Sequence, residues 1–276
     1  MNNKTILFLF AILTAMPLWA DSFLTVSDLP NGVKFLPAPP DTVSLRYVND
    51  WNMYLQGKKL RTGERGTQAK KDDIMSAAGI CSNFSGAFGT KLSKSKTPEI
   101  YALLAGVVAD GMNAVASTQE HYMRKAPFTQ FKENTMLVTN DANLAQKGSY
   151  ASAHACVGWA VGLILAEINI DRQDTILSRA YQYGESRVIV GARYESDVDA
   201  GRVLATGAVA RLHADEAFME QLQKAKDEYQ GILDGVTSVE ATTEEESDEY
   251  YDINGMRIDG PRQGLYIYNK QKILGR

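Results

Sequence analysis

Ser149-Tyr150-Ala151-Ser152-Ala153-His154-Ala155-Cys156-Val157-Gly158-Trp159-Ala160-Val161-Gly162-Leu163-Ile164-Leu165-Ala166-Glu167-Ile168 decides how this chain folds. A short turn of small and polar residues runs straight into a segment carrying Val157, Trp159, Val161, Leu163, Ile164 and Leu165. From His154 to Ile168 the segment is apolar almost all round. A helix of that kind has no side that suits water, so it is expected at the centre of a helical bundle.

The flanking sequence supplies partners for it. Thr97-Pro98-Glu99 reads as a helix start, with a capping hydroxyl, a proline in the first turn and then an acid. Ile100, Leu103, Leu104, Val107, Val108 and Met112 follow at helical spacing. Ser196-Asp197-Val198-Asp199 opens another helix, with Val203, Leu204 and Val209 as its buried stripe. A mixed-charge amphipathic helix from Asp215 to Leu233 closes the domain. Asp21 to about Asp50 is Pro-rich and is expected to wrap irregularly over the surface. No alternating strand pattern precedes residue 240, so the predicted class is all-α.

The two ends read differently. Met1-Asn2-Asn3-Lys4, an apolar core from Ile6 to Met16, and Leu18-Trp19-Ala20 before Asp21 form the pattern of a secretory signal peptide over residues 1–20. No later apolar stretch is expected to cross a membrane. The helical domain is expected over 21–236. An acidic Thr/Ser-rich linker follows over 237–249, where no large apolar side chains can build a core. Residues 250–276 switch to short β-type runs, Tyr250 to Arg257 and Gly264-Leu265-Tyr266-Ile267-Tyr268, expected as a small hairpin tail.

Composition narrows the function. The chain has 276 residues, 45% of them apolar, and a net charge of -4. Its pI of about 5.5 provides no basic face for nucleic acid. The two cysteines, Cys81 and Cys156, allow either a bridge or two buried thiols. Neither has metal-ligand spacing, and no metal or cofactor is expected.

Ser149 to His154 is followed by Ser186-Arg187, five residues, Arg193, three residues and Asp197. This pattern resembles the second and third signatures of the class A bacterial nonspecific acid phosphatases. These belong with the type 2 phosphatidic acid phosphatases and vanadium haloperoxidases. The second signature of that family reads Pro-Ser-Gly-His. The third reads Ser-Arg, five residues, His, three residues, Asp. The resemblance extends to Leu36-Pro37-Ala38-Pro39-Pro40, Leu60 to Gly66, Phe84 to Gly89, Ala166 to Asn169 and Gln221 to Lys226. It implies a bundle of the acid phosphatase and haloperoxidase type, a phosphate monoester hydrolase scaffold and a phosphate or phosphomonoester ligand.

The resemblance also assigns roles. Ser152, Ser186 and Arg187 fall on phosphate-binding positions. His154 falls on the acid that protonates the leaving group, although it also reads as a polar residue at a helix start. Asp197 falls on the carboxylate that orients the nucleophile. The nucleophilic His position is Arg193, and a guanidinium has no free lone pair with which to attack phosphorus. Its spacing from Asp197 favours an i,i+4 ion pair over contact with phosphate, provided the segment is helical. The first signature, Lys, six residues, Arg-Pro, places its two cations on Gln119 and Ala126. Lys125 reads as a partial substitute or as an exposed lysine. Ala151 and Ala153 replace the turn's Pro and Gly. The family's usual disulfide positions fall on Met136 and Val190. A vanadium cofactor would need an imidazole where Arg193 stands.

These replacements lead to the expectation of an exported protein of phosphatase fold, impaired or inactive in catalysis. The alternatives are an active divergent acid phosphatase and a surface-displayed interaction module. The last rests on the acidic linker and on residues 250–276, which resemble the end of a type IX secretion sorting tail. Such tails carry an Asp-Leu-Asn-Gly turn and a late Gly-Leu-Tyr-Ile strand.

Overall fold

The computed structural model describes residues 22–243, 250–252, 257–258, 264–268 and 271–275. The expected signal peptide, 1–20, lies outside the described residues. By contacts the chain forms two units, Met1–Glu228 and Tyr229–Arg276.

The first unit is all-α. Its helices are α1 (Gly32–Phe35), α2 (Leu45–Lys59), α3 (Glu64–Lys71), α4 (Ala77–Phe88), α5 (Pro98–Ala114), α6 (Ala116–Tyr122), α7 (Pro127–Phe131), α8 (Asp141–Ala145), α9 (Ala153–Ile168), α10 (Gln173–Val190) and α11 (Glu195–Leu212), with the start of α12 (Glu216–Thr243). The apolar segment that opened the sequence reading is α9. Ala155, Cys156, Val157, Ala160, Val161, Ile164 and Leu165 are all at most 1% exposed. α9 packs on α5, α10 and α11, as a helix without a polar face must. Gly162 sets the closest approach to α10, since a Cβ there would lie 2.3 Å from the Ala180 Cβ.

Several expectations are corrected in detail. The Thr97 hydroxyl does not cap α5. It donates to Ser93 O and accepts from Ser93 N. The Glu228 carboxylate instead accepts from the amides of Glu99 at 3.2 Å and Ile100 at 3.0 Å. A negative charge at a helix N-terminus meets both free amides and the helix dipole. Val203 is 51% exposed and Met112 49% exposed, so neither belongs to its expected stripe. In α11 the buried face is Val198, Leu204, Ala205, Ala208 and Leu212. The N-terminal wrap is shorter than expected, because Ser44 caps α2 by accepting from Tyr47 N. The stretch 98–131 holds an 18-residue window apolar enough by composition to span a membrane, contrary to expectation, but the stretch is divided among α5, α6 and α7, and 61% of that window is buried inside the fold.

Both cysteines are buried free thiols, each pushed up to about 12 by burial. Met136 and Val190 are joined without sulfur: Met136 N donates to Val190 O at 2.9 Å, and the Met136 side chain packs on the apolar cluster containing Val190.

α12 runs to Thr243, so residues 237–243 of the expected linker are helical; 244–249 lie outside the described residues. The tail holds more than a hairpin. β1 (Tyr250–Asp252), β2 (Arg257–Ile258), β3 (Gly264–Tyr268) and β4 (Gln271–Gly275) form an antiparallel sheet in the order β2-β1-β3-β4.

Candidate active site

The Ser149–Ser152 turn and the N-terminus of α11 lock each other in place. Ser152 is the N-cap of α9, its Oγ accepting from Ala155 N at 3.3 Å. Its own amide donates to Asp197 O at 2.9 Å. Asp197, in the first turn of α11, accepts from Tyr194 N at 2.9 Å through Oδ2. Gly201 permits this approach, since a Cβ there would fall 2.5 Å from Ser152 O.

Asp197 Oδ1 takes its charge partner from elsewhere in the chain. Arg124 Nη1 donates to it at 2.6 Å, while Arg124 Nη2 donates to Asp50 at 2.7 Å. The Arg124 guanidinium also covers the Tyr194 ring, 4.1 Å from its centroid. Ser196 Oγ completes the network by donating to Asp50. Burial pushes the Asp197 carboxyl upward, and the positive charge of Arg124 opposes it.

Arg193 therefore does not form the expected i,i+4 pair. α10 ends at Val190, Gly191 turns the chain with φ 89°, and α11 starts only at Glu195. Arg193 lies in the turn between the helices, where i,i+4 spacing places no two side chains on a common face. Its backbone folds onto α10, Arg193 N donating to Arg187 O at 3.2 Å. Nη1 donates to Ala192 O at 2.8 Å, and Nε is buried without a partner. Burial and the neighbouring Arg187 charge push the guanidinium down to about 10, which leaves it cationic at neutral pH.

The loop between α3 and α4 brings two carboxylates that the sequence reading did not single out. Asp73 Oδ1 accepts from Arg187 Nη1 at 2.6 Å. The same oxygen lies 3.5 Å from His154 Nε2, and Nε2 is 3.1 Å from the Asp73 carbonyl. Burial and Arg187 push the His154 imidazole down to about 4, against the pull of Asp73. It is therefore neutral at pH 7, and its Nε2 proton faces both the Asp73 carbonyl and, at longer range, Asp73 Oδ1. Burial disfavours the Asp73 charge, but the hydrogen bond from His154 and the charge of Arg187 prevail and hold the carboxyl well below its usual range. Arg187 is fully buried, yet its Nε and Nη2 have no partner.

Asp72, next in the same loop, is held by Arg179 and accepts from Ser186 Oγ at 2.6 Å. Ser186 Oγ also accepts from Arg65 Nη1 at 2.9 Å. The hydroxyl expected to face phosphate is thus engaged in fixing the loop to α10. The sequence signal for this loop was faint: Lys70-Lys71-Asp72-Asp73 reads as a solvated charge run.

The chain is 44% identical over 208 residues to the non-specific acid phosphatase of Providencia stuartii, spanning 75% of this chain and 84% of that protein. This chain belongs to the class A non-specific acid phosphatase family. A second relative, the non-specific acid phosphatase of Salmonella typhimurium, is 32% identical over 232 residues, 83% of this chain and 93% of that protein. The acid phosphatase of Zymomonas mobilis is 29% identical over 194 residues, 70% and 74% of the two chains. No protein-family model matches the chain.

Within this acid phosphatase fold, the two positions that the sequence resemblance matched to the first signature's cations make structural contacts. Gln119 Nε2 donates to Ala151 O at 2.8 Å and props the turn. Ala126, 2% exposed, sits in an apolar cluster with Phe128, Leu144, Ile189, Val190 and Ala192. Lys125 is exposed, as one of its two readings had it. The other imidazoles are engaged away from Arg187: His121 is exposed against Tyr122, and His213 Nε2 lies 2.8 Å from Glu167. A cleft of 490 Å³ shares Asp50 and Ser196 with the Arg124 network, but none of Ser152, His154, Arg187 and Arg193 lines it. Among the described residues, no three His, Cys, Asp or Glu side chains are placed to hold a metal.

Proposed function

We propose that this acid phosphatase-family chain is an exported protein that holds a phosphate group without hydrolysing it. The reading rests on Arg193, buried and cationic, at the position that the sequence resemblance matches to the family's nucleophilic imidazole. Covalent phosphoryl transfer needs an electron pair on nitrogen, and a protonated guanidinium has none available. Removing a covalent nucleophile from a hydrolase costs on the order of 10⁶ in rate. His154, the other imidazole at the site, directs Nε2 to Asp73 rather than to a leaving group.

Retained binding is supported by the guanidiniums. Arg187 Nε and Nη2 and Arg193 Nε are buried donors without protein acceptors. Such groups carry a desolvation cost that an oxyanion relieves. The family relatives' names indicate a phosphomonoester as the ligand class. Export is supported by the charged, apolar and small-residue sequence of the first twenty positions. The resemblance of the tail to a sorting signal supports delivery to the cell surface.

The test pairs the natural chain with Arg193→His, each given an aryl phosphate at pH 4 to 7. The natural chain is expected to show no hydrolysis above the uncatalysed rate, and inorganic phosphate is expected to raise its melting temperature. Hydrolysis by the natural chain that disappears in His154→Ala would overturn the proposal.

A further inference from the structure

The anion seat of this chain already contains an anion. Arg193 N donates to Arg187 O, both guanidiniums are buried, and the Arg187 charge acts on that of Arg193. Two buried like charges need a counter-charge. Asp73 supplies it from outside the signatures, 2.6 Å from Arg187 Nη1. Around the site the three charges of Arg124, Arg187 and Arg193 equal in number those of Asp50, Asp73 and Asp197, but Arg124 bonds both Asp50 and Asp197, Arg187 bonds Asp73, and Arg193 bonds only the Ala192 carbonyl.

The match in charge leaves hydrogen bonding incomplete. Three guanidinium nitrogens, Arg187 Nε and Nη2 and Arg193 Nε, remain buried without acceptors. A tetrahedral phosphate group offers more acceptor oxygens, and up to two charges, where a carboxylate offers two oxygens and one charge. The Asp73 side chain is 24% exposed, whereas Arg187 is fully buried, so Asp73 has solvent to turn into. Its loop has separate anchors. Asp72 is held by Arg179 and Ser186, and the Ile74 carbonyl accepts from Tyr183 Oη at 2.9 Å. Releasing the Asp73 carboxylate leaves both anchors in place.

We infer that Asp73 is a built-in competitor: a phosphate group enters between Arg187 and Arg193 only by displacing the Asp73 carboxylate. This rests on the proposed reading of a site that binds phosphate, and it adds a regulation of that site. The carboxylate sets a threshold of ligand concentration below which the seat closes on itself. Arg193 then acts as a second anchor for the incoming oxyanion.

Calorimetric titration of the full chain tests this, with inorganic phosphate in one arm and phenylphosphonate in the other. Asp73→Asn keeps the size of the side chain and removes its charge. It is expected to bind phosphate at least about tenfold more tightly than the natural chain. Arg193→Ala in the Asp73→Asn background is expected to reverse that gain. Tightening in both arms assigns the seat to the terminal group of a monoester; tightening with phosphate alone assigns it to the free ion. Equal or weaker binding by Asp73→Asn overturns the inference, as does no binding by either protein up to about 10 mM. A measurement free of variants keeps the test open if Asp73→Asn does not fold. Phosphate added to the natural chain should increase carbodiimide labelling of the Asp73 carboxylate, read by peptide mass, and lower or unchanged labelling overturns the inference. Neither measurement follows ester hydrolysis, so turnover would sink the proposed function while leaving this result to stand or fall separately.

Discussion

Arg124 Nη1 donates to Asp197 Oδ1 at 2.6 Å, and this bond gives Asp197 a structural partner from outside its own helix. The same guanidinium reaches Asp50 through Nη2 at 2.7 Å. The side chains of Asp50 and Asp197 are 1% and 0% exposed, so Arg124 bridges two carboxylates with almost no access to water. Removing one partner of a buried ion pair typically costs about 3–5 kcal/mol, because the remaining charge stays buried. Arg124→Met is expected to lose stability in that range by urea denaturation. A loss below about 1 kcal/mol would place the network among weak surface pairs.

The imidazole of His154 gives a pH signature. Its folded pKa, about 4, lies below the ordinary 6.5. Between these values the unfolded chain binds a proton that the folded chain refuses. The contribution is therefore complete above about pH 6.5 and is lost as pH falls toward 4. The shift corresponds to about 3 kcal/mol. Asp110, raised to about 6 by burial, and Glu195, raised to about 7 by burial and Asp199, have the opposite sign: their contribution is lost as pH rises. The measurement must therefore be a difference. The stability gap between the natural chain and His154→Gln should shrink by about 3 kcal/mol from pH 7 to pH 4, and a constant gap contradicts the assignment.

Placing an arginine at position 126, as the resemblance to the first signature would have it, should harm the fold. Ala126 is enclosed by Phe128, Leu144, Ile189, Val190 and Ala192. An arginine there would overpack the cluster and bury a charge among apolar groups, at a cost of about 3 kcal/mol or more. Ala126→Arg should lower the melting temperature sharply, whereas Lys125→Ala, at an exposed position, should leave it within a degree or two.

Gly201→Ala tests the contact between α11 and the turn. The new Cβ would lie 2.5 Å from Ser152 O, so the turn or the helix must shift. Overpacking of this kind costs about 1–3 kcal/mol. The variant should be less stable in denaturant and should also bind phosphate more weakly, because the turn carrying Ser152 and His154 moves. Lost stability with unchanged phosphate affinity would separate the turn from the anion seat.

The fold was legible because helix formation depends on local periodicity. The unbroken apolar run of α9 placed it centrally, and the repeat from Ile100 to Val108 placed α5 against it. At the site, the turn before the helix was legible in Ser149 to His154, but Ser152 Oγ, read there as a phosphate contact, accepts from Ala155 N as the cap of α9. The site was less legible where one group chooses among distant partners. Asp197 has a cation four residues before it, but the helix begins between the two, and Arg124 arrives from another element. Asp73 stands in a charged loop, and only the tertiary path of α3 and α4 brings it to Arg187. Glu228 likewise caps a helix 128 residues away, beyond the reach of any local pattern.

The central claim is that no phosphoryl group is carried by this chain. Its most direct test mixes the purified natural chain with a phosphoryl-labelled aryl phosphate, quenches in denaturing alkali within the first turnover and counts label retained on protein. The account predicts none in the natural chain at any pH from 4 to 7. Stoichiometric label that is stable in alkali and lost in acid, the behaviour of a phosphohistidine, would contradict it.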